Sequence, residues 1–236
     1  MPAFNCQDTV LDSINSVRQQ TYSKFELIIV DDGSTDNTYQ VLKRFQNFPN
    51  IVIIRSKINN GIGLARNIAI SKARGQFISF LDSDDTWHKD KLKIQVDLMK
   101  KNNYYCCHST YARFYKNSKR KKIIKAQRFI KKSDMLSGNK IGNLTGIYDA
   151  KKLGKVFQKK IGHEDYLMWI KVVTLAKFSY GCFDNLASYN VSNQGISSNK
   201  INSIFWTWNI YRNELKMNLI YSYFSMIRYF LFVLNR

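Results

Sequence analysis

Proline is almost missing from this chain of 236 residues: Pro2 and Pro49 are the only two. No stretch can therefore act as a stiff Pro-rich linker between domains, and no internal repeat marks a solenoid or an array. Cysteine is nearly as scarce. Cys6, Cys106, Cys107 and Cys182 have neither the spacing of a zinc site nor that of a disulfide framework. With no secretory h-region at the start, reduced and mostly buried thiols in a cytoplasmic protein are the expectation. Neither familiar glycine-rich phosphate loop occurs, which argues against a P-loop ATPase and against a dinucleotide enzyme. Acidic residues are few as well, 17 against 37 Lys and Arg, for a net charge of +20.

Such a surplus attracts polyanions, whether nucleic acid, anionic lipid headgroups or a phosphorylated substrate. Its location narrows the choice. Lys116, Lys119, Arg120, Lys121, Lys122, Lys125, Arg128, Lys131 and Lys132 crowd one segment, and Arg212, Lys216, Arg228 and Arg236 decorate the C-terminal tail. A solvated basic face is the plain alternative for the first cluster. A nucleic-acid-binding protein predicts aromatic-basic repeats or a known module. Neither occurs, so no nucleic-acid partner is expected.

What is present reads as one globular domain: 44% of the residues are hydrophobic, enough for a sizeable core. The first half alternates strand and helix signals. Phe25-Glu26-Leu27-Ile28-Ile29-Val30 is a buried-type strand stopped by Asp31-Asp32-Gly33-Ser34. Ser34 or Thr35 is suited to cap a helix running to about Phe48. Ile51-Val52-Ile53-Ile54 is a second strand, and residues 62–73 form a helix with Ile62, Ala65, Ala69 and Ile70 on one face. Residues 77–81 form a third strand ending at Asp82-Ser83-Asp84-Asp85, followed by a helix over about 90–102 and an alternating strand over 104–114. Strands separated by such helices imply a mostly parallel central sheet, whose ligands bind beyond the carboxyl ends of the strands. Both acidic clusters sit there. The later chain reads as loop and helix over 116–132, a glycine-bearing loop over 138–146, a helix from Glu164 to Ala176, strand and turn over 178–190, and aromatic helix from Ser203 onward.

Each acidic motif has a functional and a plain reading. In an extended backbone alternate side chains share a face, so Asp82 and Asp84 can reach one space. Two hard oxygen ligands beside a diphosphate suit Mg²⁺ or Mn²⁺; a helix cap is the alternative. A carboxylate at Asp31 or Asp32 can accept from a base or a ribose hydroxyl, or simply build a turn. Asp165, in Gly162-His163-Glu164-Asp165-Tyr166, can take a proton from a hydroxyl held against it, or compensate a helix dipole.

Taken in order, Pro2-Ala3-Phe4-Asn5, Asp31-Asp32-Gly33-Ser34-Thr35-Asp36, Asn60-Gly61 with Ala65-Arg66-Asn67, Leu81-Asp82-Ser83-Asp84-Asp85 and Gly162-His163-Glu164-Asp165-Tyr166 resemble glycosyltransferase family 2, inverting enzymes of GT-A fold. The resemblance covers residues 1 to about 176. It implies an α/β, Rossmann-like nucleotide-diphospho-sugar transferase fold, with a catalytic domain over 1–200 and a helical segment over 201–236. Residues 1–115 would bind the nucleotide sugar and 116–200 the acceptor. It also implies that Asp31 or Asp32, with the backbone near Ala3 and Phe4, holds the nucleotide base, usually uracil. Asn5 and Ser83 would lie on the donor side, Asp82 would touch ribose or metal, and Asp84 would be the main ligand of Mg²⁺ or Mn²⁺. Asp165 would be the general base, with Glu164 and Thr145 on the acceptor side. Arg66 would support the donor pocket or form a structural ion pair. No Gln-x-x-Arg-Trp sequence follows the Glu-Asp motif, which implies single additions rather than processive synthesis.

The family also implies an apolar strand running into the Pro-x-Tyr-Asn-like segment, yet only Met1 precedes Pro2. The expectation is a first strand lost ahead of the helix at about residues 10–20, with Met1 an internal methionine. At the other end, residues 219–234 are apolar and aromatic, interrupted by Arg228. Sixteen residues are short for a membrane span. They suit a helix lying in an anionic lipid interface, or one packed on the catalytic domain. A polyprenyl-diphosphate-linked saccharide acceptor of bacterial O-antigen, lipopolysaccharide or capsule synthesis is what the family implies, with the protein peripheral on the inner face of the plasma membrane.

Overall fold

The computed structural model describes residues 1–115, 121–191 and 200–234; the expectations for Lys116, Lys119, Arg120 and Arg236 fall outside them. The strand expected to be lost is present as a short one, β1 (Pro2–Ala3), which feeds α1 (Val10–Arg18). It lies parallel to β2 (Leu27–Asp31), pairing Pro2 with Val30 and Ala3 with Asp31. The ladder forms because Val30 N–H donates to the Met1 carbonyl (2.9 Å) and Asp32 N–H to that of Ala3 (2.8 Å). All five residues of β2 are buried, as its β-branched run predicts.

The helix expected from Ser34 to Phe48 is shorter. It is α2 (Thr38–Lys43), entered at Asn37. Ser34 and Thr35 cap nothing because both serve a neighbouring loop: Ser34 Oγ accepts from Asn5 N–H (3.1 Å), and Thr35 N–H donates to Asn5 Oδ1 (2.9 Å). Next, β3 (Ile51–Arg55) runs parallel to β2, and α3 (Ile62–Lys72) starts at Gly61, whose φ of 95° suits glycine. Then follow β4 (Phe77–Ser79), β5 (Thr86–Trp87), α4 (Lys91–Asn102) and β6 (Cys106–Tyr115).

The basic segment departs from the loop-and-helix expectation. Lys121–Ile124 is a strand, β7, antiparallel to β6, and Phe129–Ile130 is β8, before a single turn α5 (Lys132–Met135). Its lysines are exposed while the ladder holds the backbone, an arrangement common on sheet edges. The chain continues through a 3₁₀ turn (Asn143–Thr145), β9 (Ile147–Asp149), α6 (Ala150–Leu153), α7 (Glu164–Ala176) and β10 (Ser179–Val191). It ends with α8 (Lys200–Asn209), a π-helical turn (Ile210–Glu214) and α9 (Leu219–Leu234).

Two sheets result. The first has the order β1-β2-β3 and is wholly parallel; the second runs β4-β9-β6-β10-β5, with β7 and β8 attached. Parallel pairing recurs in it between β6 and β10, while its other ladders are antiparallel. A cavity of about 500 Å³, lined by Leu27 and Ile28 of the first sheet and Phe77 and Ile78 of the second, lies between them. α7 is the centre of the largest core, with Trp169 edge-on to Phe80 and Tyr148. Gly146 is required there: a Cβ on it would stand 2.3 Å from the Trp169 ring. Ile210, Tyr211 and Met226 join the same core, so one face of the C-terminal segment is docked on the catalytic fold. Among the described residues no helix is long and apolar enough to cross a membrane.

Candidate active site

The loop after β4 and the helices α3 and α7 converge on one guanidinium. Arg66, on the first turns of α3 and 6% exposed, meets Asp82 through Nη2 and Oδ1 at 2.6 Å. Its Nη1 donates to Gln158 Oε1 at 3.4 Å. Burial alone would make the guanidinium less basic, yet its pKa is raised by Asp82, Asp165 and Glu164. Carboxylates from the β4 loop and from α7 thus share one central cation. Of the two readings for Arg66, the ion pair is realised.

The β4 loop does not stay extended. Asp85 N–H donates to the Asp82 carbonyl (3.2 Å), and Ser83-Asp84 forms the turn between them. A turn, rather than strand alternation, gathers these carboxylates. The capping alternative fails because Asp90 precedes α4. Burial raises the Asp84 pKa, assisted by Asp82. Asp85 is pushed up to about 9 by burial and then by Asp82 and Asp84; its Oδ1 accepts from Asn190 N–H at 3.0 Å. Three carboxylates thus press on one another, with Arg66 the cation that offsets them. That donor set fits a hard divalent ion. Among the described residues no three His, Cys, Asp or Glu side chains are grouped to hold one, so an ion there would draw most of its ligands from substrate and water.

Asp31 and Asp32 are given to the protein itself. Asp31 is wholly buried, accepting from Ser34 N–H (3.1 Å) and pairing with Arg55 at 3.3 Å. Asp32 clasps the entry to α3: its carboxylate takes Asn60 N–H at 3.1 Å and Gly61 N–H at 2.8 Å. The turn-building reading describes both. Gly33, which follows them, has φ 76°, and a Cβ on it would stand 2.7 Å from the Ile58 backbone. Nearby, Ala3 is buried, Phe4 is 44% exposed, and Asn5 adopts φ 46°. Burial raises the Cys6 thiol's pKa, against the opposing influence of the Ser83 hydroxyl from the β4 loop.

α7 is entered through two left-handed residues, Gly162 (φ 73°) and His163 (φ 50°), with Trp206 of α8 packed against them. Burial lowers the His163 pKa, against the pull of Asp165 and Glu164. Glu164 and Asp165 occupy the first turn rather than the cap. Asp165 Oδ2 accepts from Asn139 Nδ2 at 3.1 Å, while Asn139 Oδ1 accepts from Ile141 N–H. That second bond fixes the amide, so its N–H₂ end faces Asp165, and among the described residues no hydrogen bond takes the other carboxylate oxygen. Thr145, expected on the acceptor side, is 1% exposed and donates its hydroxyl to the Gly142 carbonyl at 2.7 Å. That bond builds its own loop.

The sequence motif of glycosyl transferase family 2 matches residues 1–157, well over half the chain. The chain belongs to that family. This glycosyltransferase is 31% identical over 231 residues to a putative teichuronic acid biosynthesis glycosyltransferase of Bacillus subtilis, covering 97% of this chain and 92% of that one. It is 34% identical over 211 residues to a UDP-Glc:α-D-GlcNAc-diphosphoundecaprenol β-1,3-glucosyltransferase of Escherichia coli, covering 89% and 83%. In fold it is similar to Staphylococcus aureus TarS 1–349 in complex with UDP-GlcNAc, at TM-score 0.76 and 18% identity over 97% of this chain and 70% of that one. A mannosyltransferase of Pyrobaculum calidifontis in complex with GDP-Man and Mn²⁺ is similar at TM-score 0.67 and 15% identity, over 92% and 63%. The fold is therefore GT-A, as the resemblance implied.

Three polar residues at the site had no signal in the sequence: Gln158, Asn139 and Asn190. None belongs to a charged motif, and their partners lie 92, 26 and 105 residues away. Asp85 was visible in the acidic run, but not its burial.

Proposed function

We propose that this glycosyltransferase is an inverting, single-addition, hexosyltransferase-type enzyme. It moves a sugar from a UDP-sugar to a hydroxyl of a polyprenyl-diphosphate-linked saccharide in bacterial O-antigen or capsule synthesis. The observation that carries the reading is Arg66, bonded to Asp82 at 2.6 Å while its charge is held by Asp165 and Glu164. One cation thereby joins the donor-side carboxylates to the proposed base. The names of the Escherichia coli and TarS relatives support the lipid-linked acceptor and the UDP donor.

In this reading Asp84, with Asp82, holds Mg²⁺ or Mn²⁺. When bound, the ion supplies positive charge for the departing diphosphate, which the acidic loop alone would repel. Asp31 and Asp32 act indirectly, keeping the loops beside Ala3, Phe4, Asn5 and the Asn60–Gly61 turn in shape for the nucleotide. Asp165 accepts the acceptor hydroxyl's proton through the oxygen that Asn139 leaves open. The deprotonating oxygen forms its bond to the anomeric carbon on the face opposite the nucleoside diphosphate, and that carbon inverts. Asp165 lies in the first turn of α7, and Glu164 lies on the acceptor side. The work is done in the cytoplasm, at the inner face of the plasma membrane.

The test is UDP release from a panel of UDP-sugars with a GlcNAc-diphosphoundecaprenol acceptor, Mn²⁺ and EDTA as the two arms. Acceptor-dependent, EDTA-sensitive release of UDP with a β-linked product from an α-linked donor is the expected result. Retention of configuration, or undiminished turnover in EDTA, refutes the mechanism.

A further inference from the structure

α9 presents an apolar face to solvent. Its buried residues are Ser222, Ser225 and Met226, with Tyr229 and Phe232 half-buried on the same side. The opposite stripe holds Ile220 (67% exposed), Phe224 (58%), Ile227 (40%), Leu231 (56%) and Leu234 (82%). Those positions recur at three-, four- and seven-residue spacing, so they form one continuous face. An ordinary surface helix carries the reverse pattern, and an apolar face of this length marks a place where something other than water sits.

The charges around the face say what that partner is. From residue 190 to the end of the sequence there is one acid, Glu214, and Lys159 neutralises it at 2.7 Å. Lys216 stands exposed just before the helix, and Arg228 reaches from it to the Ser133 carbonyl at 3.3 Å, beside exposed Lys131 and Lys132. A protein groove would supply apolar contact, but would not call for the cations beside it. Apolar and aromatic residues flanked by Lys and Arg that form no ion pair among the described residues match an anionic lipid interface. At 16 residues the helix spans about 24 Å, too short to cross the bilayer but sufficient to lie along it.

The helix also leads to the site. Phe232 packs on Gly138, where a Cβ would come within 2.4 Å of the ring, and Lys140 lies 4.1 Å over the same ring. The segment 133–140 between them is tied to α7 by Tyr166 OH on the Met135 carbonyl (2.5 Å) and to the π-helical turn by Tyr211 OH on that of Leu136 (2.6 Å). Asn139, within that segment, is the residue bonded to Asp165.

We infer that the outward face of α9 lies in the headgroup region of an anionic bilayer, and that the 133–140 segment thereby presents the Asp165 end of the site to the membrane surface. The inference rests on the proposed transfer to a lipid-linked saccharide. It names the surface that brings the enzyme to that acceptor.

The test is flotation with phosphatidylcholine vesicles, with and without 30% phosphatidylglycerol, using the wild type and an Ile220→Glu, Phe224→Glu, Leu231→Glu variant. These side chains face solvent, so the variant keeps its fold, checked by its melting temperature. The wild type floats with the anionic vesicles at 50 mM NaCl, and binds at least tenfold less to neutral vesicles or at 500 mM. The variant loses at least tenfold of the binding. It turns over a soluble acceptor lacking the polyprenyl chain as the wild type does, yet loses turnover on the same saccharide in vesicles. A wild type that stays unbound at 50 mM overturns the inference, as does equal binding by the variant or to neutral vesicles. Concentration-dependent dimerisation abolished by the three substitutions, without vesicle binding, also overturns it and assigns the face to a second copy. Flotation is read without donor or acceptor, so failure of the transferase reading and failure of the membrane reading are separate results.

Discussion

Replacing Arg66 by Met removes the cation bonded to Asp82 while keeping the apolar stem. The guanidinium is 6% exposed and its partner Asp82 25%, so the pair is buried on one side and partly wet on the other. Removing one member of a buried pair costs about 3–5 kcal/mol. The exposure of Asp82 puts the expected loss near the lower bound, about 3 kcal/mol. For a domain of this size each kcal/mol lowers the melting temperature by about 2–4 °C, so the drop should be about 6–12 °C. Differential scanning fluorimetry in EDTA is the assay. Mn²⁺ with UDP should then recover more of the loss in the variant than it adds to the wild type, because the carboxylates have lost their internal counter-ion. Arg66→Lys retains charge but not the fork that meets Asp82 and Gln158 together, so it should melt between the two. If Arg66→Met melts within 2 °C of the wild type in EDTA, Arg66 does not hold this site together.

Asn139→Ala leaves Asp165 free to rotate. It should lower kcat about tenfold, the worth of one hydrogen bond to a charged group, while UDP binding measured by calorimetry is unchanged; weakened UDP binding would place Asn139 in a different role. Gly146→Ala drives a methyl group into the Trp169 ring, and overpacking of this kind costs about 1–3 kcal/mol or more; a urea midpoint equal to the wild type would show that α7 can shift away. His108 is buried with Nδ1 2.8 Å from Ser179 Oγ, and burial pulls its pKa down to about 4 against an opposing contribution from the Gln127 backbone. The unfolded chain therefore binds the proton first as pH falls below about 6.5, the ordinary value. The contribution of neutral His108 is complete above that pH and disappears as pH falls towards 4. Linkage gives a loss of about 2 kcal/mol between pH 7.5 and pH 5, and urea melts of His108→Gln should lack that part of the dependence.

The sequence made legible those features whose causes are local. The Glu164 to Ala176 helix has the expected bounds because its acids sit in the first turn and its apolar residues fill the core all round. The acidic runs at 31–32 and 82–85 lie at strand ends because strand periodicity stops there. Within the basic segment, residues 121–124 form a strand that the loop-and-helix expectation does not contain, since Lys121-Lys122-Ile123-Ile124 has neither period. Its strand conformation comes from the β6 edge, a partner the local sequence does not encode. The intramolecular partners of Asp31 and Asp32 are hidden in the sequence for a similar reason. A carboxylate reads the same whether its partner is a nucleotide or a backbone amide 28 residues away in the Asn60 turn. The short β1 depends on the Met1–Ala3 carbonyls meeting β2, a contact between segments that periodicity cannot report.

The claim that most needs testing is the division of labour between Asp84 and Asp165. It is tested most directly by measuring UDP–Mn²⁺ affinity and single-turnover sugar transfer for Asp84→Asn and Asp165→Asn side by side. Asp165→Asn should bind UDP–Mn²⁺ within about twofold of the wild type and lose about 10³-fold in transfer, the range for removing a general base. Asp84→Asn should lose metal-dependent UDP binding itself. Transfer by Asp165→Asn within a few-fold of the wild type, or unimpaired UDP–Mn²⁺ binding by Asp84→Asn, would contradict the account.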